Sequence, residues 1–168
     1  MRQELELLRK KMCETGVDAC LIPTNDFHGS EYVGDYFKCR EYISGFTGSA
    51  GTLVVTLEDA GLWTDGRYFL QAAEQLEDSG ITLKKERQPG VPTIEEYLKT
   101  TLKRGQTLGF DGRCIMADYA EKLITQLNAQ GIAVRTDIDL AGAVWENRPQ
   151  LSAQPVWPLP VEYAGESS

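Results

Sequence analysis

Leu5, Leu8 and Met12 recur three and four residues apart near the start of the chain. That is the spacing of one helical face, and Gly16 follows where such a helix would stop. The pattern then changes. Val17 to Ile22 is a short apolar run closed by Pro23, which reads as a buried strand. Pro23 to Arg40 is polar and contains glycine, so it reads as a long loop with one helical turn. Thr52 to Leu57 (TLVVTL) has the β-branched content of a strand. Ala60 to Thr64 reads as a second strand, and a turn at Glu58-Asp59 makes the two a hairpin. Phe69, Ala72, Ala73 and Leu76 share one face of a helix predicted over Tyr68 to Leu76, and a strand is expected around Ile81 to Lys85. Thr93 is placed to cap a helix running to about Lys103. Glu95 and Glu96 fall in its first turn, where the helix dipole favours carboxylates. Thr107 to Phe110 is a further strand. Asp118 to Gln130 predicts a helix with Leu123, Ile124 and Leu127 inward and Gly131 at its end. Ile132 to Arg135 is another strand, and Asp137 to Trp145 a short final helix.

Strands alternating with helices after one hairpin imply an α/β fold, a mixed β-sheet flanked by helices. After Arg148 the character changes. Pro149, Pro155, Pro158 and Pro160 punctuate a stretch without helical period, as expected of an extended linker. The predicted organisation is therefore a domain over residues 1–148 followed by a linker over 149–168, where the chain reads as truncated. No internal repeats or low-complexity tracts interrupt the pattern. The composition, 42% hydrophobic and 25% charged, suits a chain that folds around a core. A net charge of −8 without a basic cluster argues against a nucleic-acid partner. No apolar run approaches the roughly 20 residues of a membrane span. Cys13, Cys20, Cys39 and Cys114 form no C-x-x-C pair, and Met1 to Lys11 is charged rather than an apolar leader. Both features read as a cytoplasmic protein with reduced thiols.

The chemistry available to so few special residues is narrow. His28 is the single histidine, which leaves no H-E-x-x-H zinc site, and there is no G-x-S-x-G elbow. Asp137 and Asp139 are the one tight acidic pair near a strand end, and a helix cap explains them better than a metal does. The glycines of Gly45-Phe46-Thr47-Gly48-Ser49-Ala50-Gly51 precede a strand, whereas a nucleotide-binding loop opens a helix. They read as room for a tight backbone path. Asp65-Gly66-Arg67 follows a strand and opens a helix, with Thr64 or Asp65 as cap. Arg67 then lies at the positive end of the helix dipole and calls for a carboxylate. Composition and spacing leave two sources open: an internal partner such as Glu41 or Asp26, or a carboxylate of a substrate or partner chain.

Four blocks carry a resemblance to a known family. Leu21-Ile22-Pro23-Thr24-Asn25-Asp26-Phe27-His28-Gly29-Ser30-Glu31-Tyr32 resembles the opening motif of aminopeptidase P, with Phe27 and Gly29 where that group often has Ala and Gln. Arg40 to Gly51 is similar to its "RxxxSGFxGSAG" segment, Trp63 to Ala72 matches "WTDGRYFLQA", and Trp145-Glu146-Asn147-Arg148-Pro149 resembles "WxxRP". The blocks come in the same order from Leu21 to Pro149. The group is the creatinase, prolidase and aminopeptidase P family. The resemblance implies a ribonuclease-H-like sheet in a non-catalytic N-terminal domain. It also implies a separate C-terminal pita-bread domain that holds two divalent ions, often manganese, on ligands outside this chain. The reaction implied is hydrolysis of the bond between an N-terminal residue and a following proline, by a homodimer acting on peptides. This segment would contribute oligomer contacts and substrate fit, with no catalytic or metal-binding residue of its own. Arg67 matches the arginine of "DGRYF", for which the resemblance implies a substrate-binding role. His28 is expected to hydrogen-bond within its loop. The other readings are a non-enzymatic interaction module on the same fold and a prolidase-like or creatinase-like hydrolase.

Overall fold

The computed structural model describes residues 1–166; Ser167 and Ser168, the end of the expected linker, lie outside the described residues. Six strands form one sheet in the order β4-β3-β2-β1-β5-β6. They are β1 (Ala19–Pro23), β2 (Thr52–Thr56), β3 (Ala60–Thr64), β4 (Thr82–Lys85), β5 (Thr107–Gly109) and β6 (Ala133–Arg135). β2 is antiparallel to β1 and β3, and all other neighbours pair in parallel. The hairpin follows from the turn after β2. There the Thr56 N–H donates to the Asp59 carbonyl, and its hydroxyl accepts from the N–H of Asp59 and Glu58. The mixed sheet agrees with the α/β expectation.

Alternation along the central strands sends side chains to two cores. Cys20 and Ile22 of β1, Leu53 and Val55 of β2, and Leu62 of β3 face one side. Helix α1 (Gln3–Thr15) brings Leu5, Leu8 and Met12 there, α2 (Cys39–Ser44) brings Ile43, α3 (Phe69–Gln75) brings Ala72, and α6 (Leu140–Val144) brings Leu140. Leu21, Val54 and Trp63 face the other side, against Tyr97 and Leu98 of α4 (Ile94–Thr101) and Leu123 and Leu127 of α5 (Ala117–Asn128). A sheet covered on both faces has strands apolar at every position, which is why TLVVTL shows no polar alternation. Edge strand β4 ends in Lys84 and Lys85, charges that discourage further pairing.

The local signals act as expected in most places. Gly16 ends α1 at φ 68°, a left-handed conformation that favours glycine. Thr93 caps α4 in a full capping box. Its hydroxyl accepts from the Glu96 N–H, while the Glu96 carboxylate accepts from the Thr93 N–H.

Other elements differ from expectation. Helix α2 was not anticipated: at six residues it is too short for a period to show, and its two ends are tied by tertiary contacts. Ala73 is exposed, because α3 is only two turns long and meets the sheet through Ala72 and Leu76. The final helix is confined to Leu140–Val144, since Asp139 caps it by accepting from the Gly142 N–H. Val17 lies outside β1, its N–H closing the end of α1 on the Met12 carbonyl.

The "WxxRP" block is a latch. Trp145 stacks on Tyr42 of α2 with ring centroids 4.5 Å apart and planes 7° from parallel. Arg148 lies 3.7 Å over the Tyr36 ring, donates from Nε to the Tyr36 carbonyl at 2.9 Å, and pairs with Asp139. Beyond it the chain is exposed and without regular structure up to the four-residue helix α7 (Val161–Ala164), a helix that the proline-rich reading did not predict. Ending the chain after Gln150 is expected to leave the melting temperature within about 2 °C of the full chain, because exposed segments contribute little burial. Ending it after Val144, which removes Trp145 and Arg148, is expected to lower it clearly. Circular-dichroism melts of the two truncations make the comparison, and equal melting temperatures would exclude the latch.

Candidate functional site at the carboxyl edge of the sheet

Parallel strands place all their carboxyl ends at one edge, the place where open α/β sheets bind ligands. Here that edge collects the loop after β1, the start of β2, the Asp65-Gly66-Arg67 turn after β3, Glu86 and Arg87 after β4, and Asp111 and Asp137 after β5 and β6. Arg40, Arg67, Arg87, Arg113, Arg135 and Arg148, six of the nine arginines of an acidic chain, stand at this edge.

Arg40 organises the glycine-rich segment. Its residue is 3% exposed, Nε donates to the Thr24 hydroxyl at 2.8 Å, and Nη1 and Nη2 donate to the carbonyls of Phe46 and Gly48. The guanidinium also lies 4.8 Å over the Phe46 ring. Burial pushes its pKa down to about 10, which keeps it charged at neutral pH. The same segment is pinned from both neighbouring strands, by Thr24 on the Gly51 carbonyl and by the Thr64 hydroxyl on the Ala50 carbonyl. A Cβ at Gly48 would run into the Phe46 ring and come within 2.8 Å of Tyr68. The glycines therefore serve close packing, as the sequence suggested.

Asp26 holds the loop after β1. Its Oδ1 accepts from the N–H of His28 at 2.8 Å and of Ser30 at 2.9 Å. His28 is exposed and joins the loop through its backbone N–H.

Arg67 meets a carboxylate of its own turn. Nε and Nη2 donate to Oδ1 and Oδ2 of Asp65 at 2.9 and 2.8 Å, and the Arg67 N–H also reaches Oδ1. Asp65 is the cap, as expected, but the internal partner is neither Glu41 nor Asp26. Spacing pointed to distant carboxylates, whereas the tight turn brings the residue two positions back within bidentate reach. The Arg67 side chain stays 68% exposed and borders an open cleft shared with Ser30, Glu31, Ser49 and Glu86. The Nε–Nη2 edge of the guanidinium is used on Asp65, which leaves Nη1 for another acceptor.

Asp111-Gly112-Arg113 repeats this geometry after β5. Arg113 donates from N, Nε and Nη2 to Asp111 at 3.1, 2.9 and 2.8 Å. Its side chain is 57% exposed and stacks over Phe27 at 5.0 Å. Sequence reasoning passed over this turn. The signal was present, since the same tripeptide follows a strand twice.

Asp137 pairs with Arg135, and Asp139 with Arg148 and the Gly142 N–H, so the two carboxylates are engaged separately. Among the described residues no three His, Cys, Asp or Glu side chains come together as a metal site. The residues here do not fit a pair of divalent ions. Burial, reinforced by nearby carboxylates, pushes the Cys39 and Cys114 thiols up to about 12, and burial raises Cys20 further. The edge can recognise and position oxygen-rich groups.

Two carboxylates at this edge give it a pH signature. Asp26 is lowered to about 2, chiefly by the N–H and hydroxyl of Ser30 and then by the His28 N–H. Asp65 is lowered to about 2 by the Arg67 guanidinium and N–H. A carboxyl depressed in the folded state stabilises the fold above its unfolded pKa, and that contribution is lost as pH falls through the folded value. Melting temperature is therefore expected to hold between about pH 5 and 7 and to fall from about pH 4 towards 2. Asp26→Asn should flatten part of that fall. Melts across a pH series test this, and an unchanged melting temperature down to pH 2 would refute it.

The creatinase/prolidase N-terminal domain model matches residues 4–148. The chain belongs to that family. The creatinase/prolidase N-terminal domain accounts for the sheet and for the matched limit at Arg148, the latch residue. Aminopeptidase P2 of Arabidopsis thaliana is 41% identical over 169 residues, covering 97% of this chain and 24% of that protein. A probable Xaa-Pro aminopeptidase P of Sordaria macrospora is 42% identical over 168 residues, covering 98% and 27%. Among solved structures, an X-prolyl aminopeptidase of Caenorhabditis elegans, described as a cytosolic enzyme with a di-nuclear active site, superposes with a TM-score of 0.86 at 36% identity. That match covers 98% of this chain and 28% of the other. The N-terminal domain of the peptidase PepQ of Mycobacterium tuberculosis superposes less closely, at 0.61 and 26% identity over 86% of this chain. The chain spans about a quarter of the length of its aminopeptidase relatives. No helix among the described residues is long and apolar enough to cross a membrane.

Proposed function

We propose that this chain is the substrate-fitting domain of a metal-dependent aminopeptidase that hydrolyses the bond between an N-terminal residue and a following proline. The observation that carries this reading is the agreement with the C. elegans X-prolyl aminopeptidase over 98% of the chain at a TM-score of 0.86. In this reading residues 1–148 are the non-catalytic domain, and 149–168 lead into a second one. Two divalent ions, manganese being the proposed metal, are held by residues outside this chain, in a C-terminal catalytic domain. The parent acts in the cytoplasm as a homodimer. Arg67, with one guanidinium edge on Asp65 and the other outward, contacts the peptide and helps hold it for reaction elsewhere.

The test is release of the first residue from Xaa-Pro peptides. The full-length parent with manganese is expected to release it, and the 168-residue chain with manganese to release none. Metal-dependent release by the chain alone would overturn the domain role. A parent that takes up no metal and releases nothing would leave the family's fold in use as an interaction module.

A further inference from the structure

The Asp111-Gly112-Arg113 turn reproduces, bond for bond, the Asp65-Gly66-Arg67 turn at the other side of the same edge. In both, one edge of the guanidinium is neutralised and fixed by its own aspartate, and its plane lies over an aromatic ring; Nη2 of Arg113 also comes within 3.9 Å of Asp139. The ring is Tyr68 for Arg67, at 5.3 Å, and Phe27 for Arg113, at 5.0 Å. Arg113 lies between Asp111 and Asp139, at 2.8 and 3.9 Å, and still exposes 57% of its side chain. Such a preset fork recognises carbonyl or carboxylate oxygen with little further loss of side-chain freedom.

The sheet fixes how far apart the two forks stand. β3 and β5 are separated by β2 and β1, three strand spacings. Cys20 pairs with Gly109, which puts Asp111 level with Ile22. Pro23 pairs with Thr52 and Thr52 with Trp63, which puts Asp65 level with Asn25. Three strand spacings across and three residues along put the Asp65 and Asp111 backbones roughly 17 Å apart. An extended peptide covers that in about five residues. The loop held by Asp26 runs between the forks, with Phe27 beneath Arg113 and Ser30 and Glu31 in the cleft beside Arg67.

We propose that Arg113 is a second peptide anchor, which grips the backbone or terminal carboxylate of an extended peptide of about five residues or more while Arg67 holds another part of it. This rests on the peptidase reading and deepens it, by making peptide length a property that this domain senses. A tripeptide cannot span both forks.

The experiment uses the full-length parent with manganese, and compares the tripeptide Ala-Pro-Ala with the pentapeptide Ala-Pro-Ala-Ala-Ala. Arg113→Ala is expected to raise KM for the pentapeptide about tenfold more than for the tripeptide, the loss of one charge-assisted hydrogen bond. Arg113→Lys, which keeps a charge beside Asp111, should recover part of that difference. Equal changes for both peptides, or none, would overturn the proposal while leaving the peptidase reading intact. A second measurement is independent of turnover: anisotropy of a fluorescent pentapeptide on the metal-free parent. Binding about tenfold weaker in Arg113→Ala supports the anchor even in a parent that cleaves nothing. Absent binding, or binding indifferent to the substitution, overturns it.

Discussion

Arg40→Ala is expected to lower the melting temperature of this domain by on the order of 10 °C. The side chain is buried, and its three nitrogens supply the Thr24 hydroxyl and the carbonyls of Phe46 and Gly48. Alanine removes all three donors together and leaves a half-buried hydroxyl and two carbonyls of buried residues without their partner. A buried acceptor without a partner costs about 1–3 kcal/mol, so the combined loss is roughly 4 kcal/mol after relaxation. Against a total stability of about 5–15 kcal/mol, that is a large share. Arg40→Lys should restore less than half of it, since one ammonium cannot reach three divergent acceptors. Thermal and urea unfolding of the three proteins give the measurement. A melting temperature unchanged in Arg40→Ala would show that the glycine segment holds its path without the guanidinium.

Arg67→Ala is expected to do the reverse, leaving the fold almost untouched and impairing the parent enzyme. The Asp65–Arg67 pair is two residues apart and open to water, and such pairs contribute little to stability. The melting temperature should therefore move by no more than about 2 °C. In the full-length parent, kcat/KM for Xaa-Pro peptides should fall between about 10- and 100-fold, because a remote contact that positions the peptide contributes to rate as well as to affinity. Metal content should not change, since no metal ligand is touched. Lysine should rescue only in part. It keeps the charge and loses the fork that grips Asp65 with one edge and offers the other. A clear melting loss with unchanged kcat/KM would make Arg67 a scaffold residue.

Both predictions start from residues that the sequence singled out to different degrees. The "DGR" turn was legible as a strand end, a cap and an arginine at the wrong end of a helix dipole. Its true partner was not, because Asp65 and Arg67 look too close in sequence to pair until the turn after β3 folds the side chains side by side. Arg40 was visible only inside a family motif. That it is buried, and that it fastens a loop reached from both Thr24 and Gly48, depends on residues up to 16 positions away in the chain. The twin turn at Arg113 was within reach of the sequence, as a tripeptide repeated after a second strand.

Local pattern determined most of the elements. β-Branched runs, the glycine at the end of α1 and the threonine cap of α4 act through neighbours a few residues away, so their effect is written in the nearby sequence. The four motif blocks likewise determined the family. Tertiary structure decided what no local signal carries: that β2 alone runs against the rest, that α2 forms at all, and that one edge gathers most of the arginines. Strand order and shared edges are set by burying both faces of the sheet at once. That burial joins side chains as distant as Leu5 and Leu140 in one core, and their proximity exists only once the chain has closed around it.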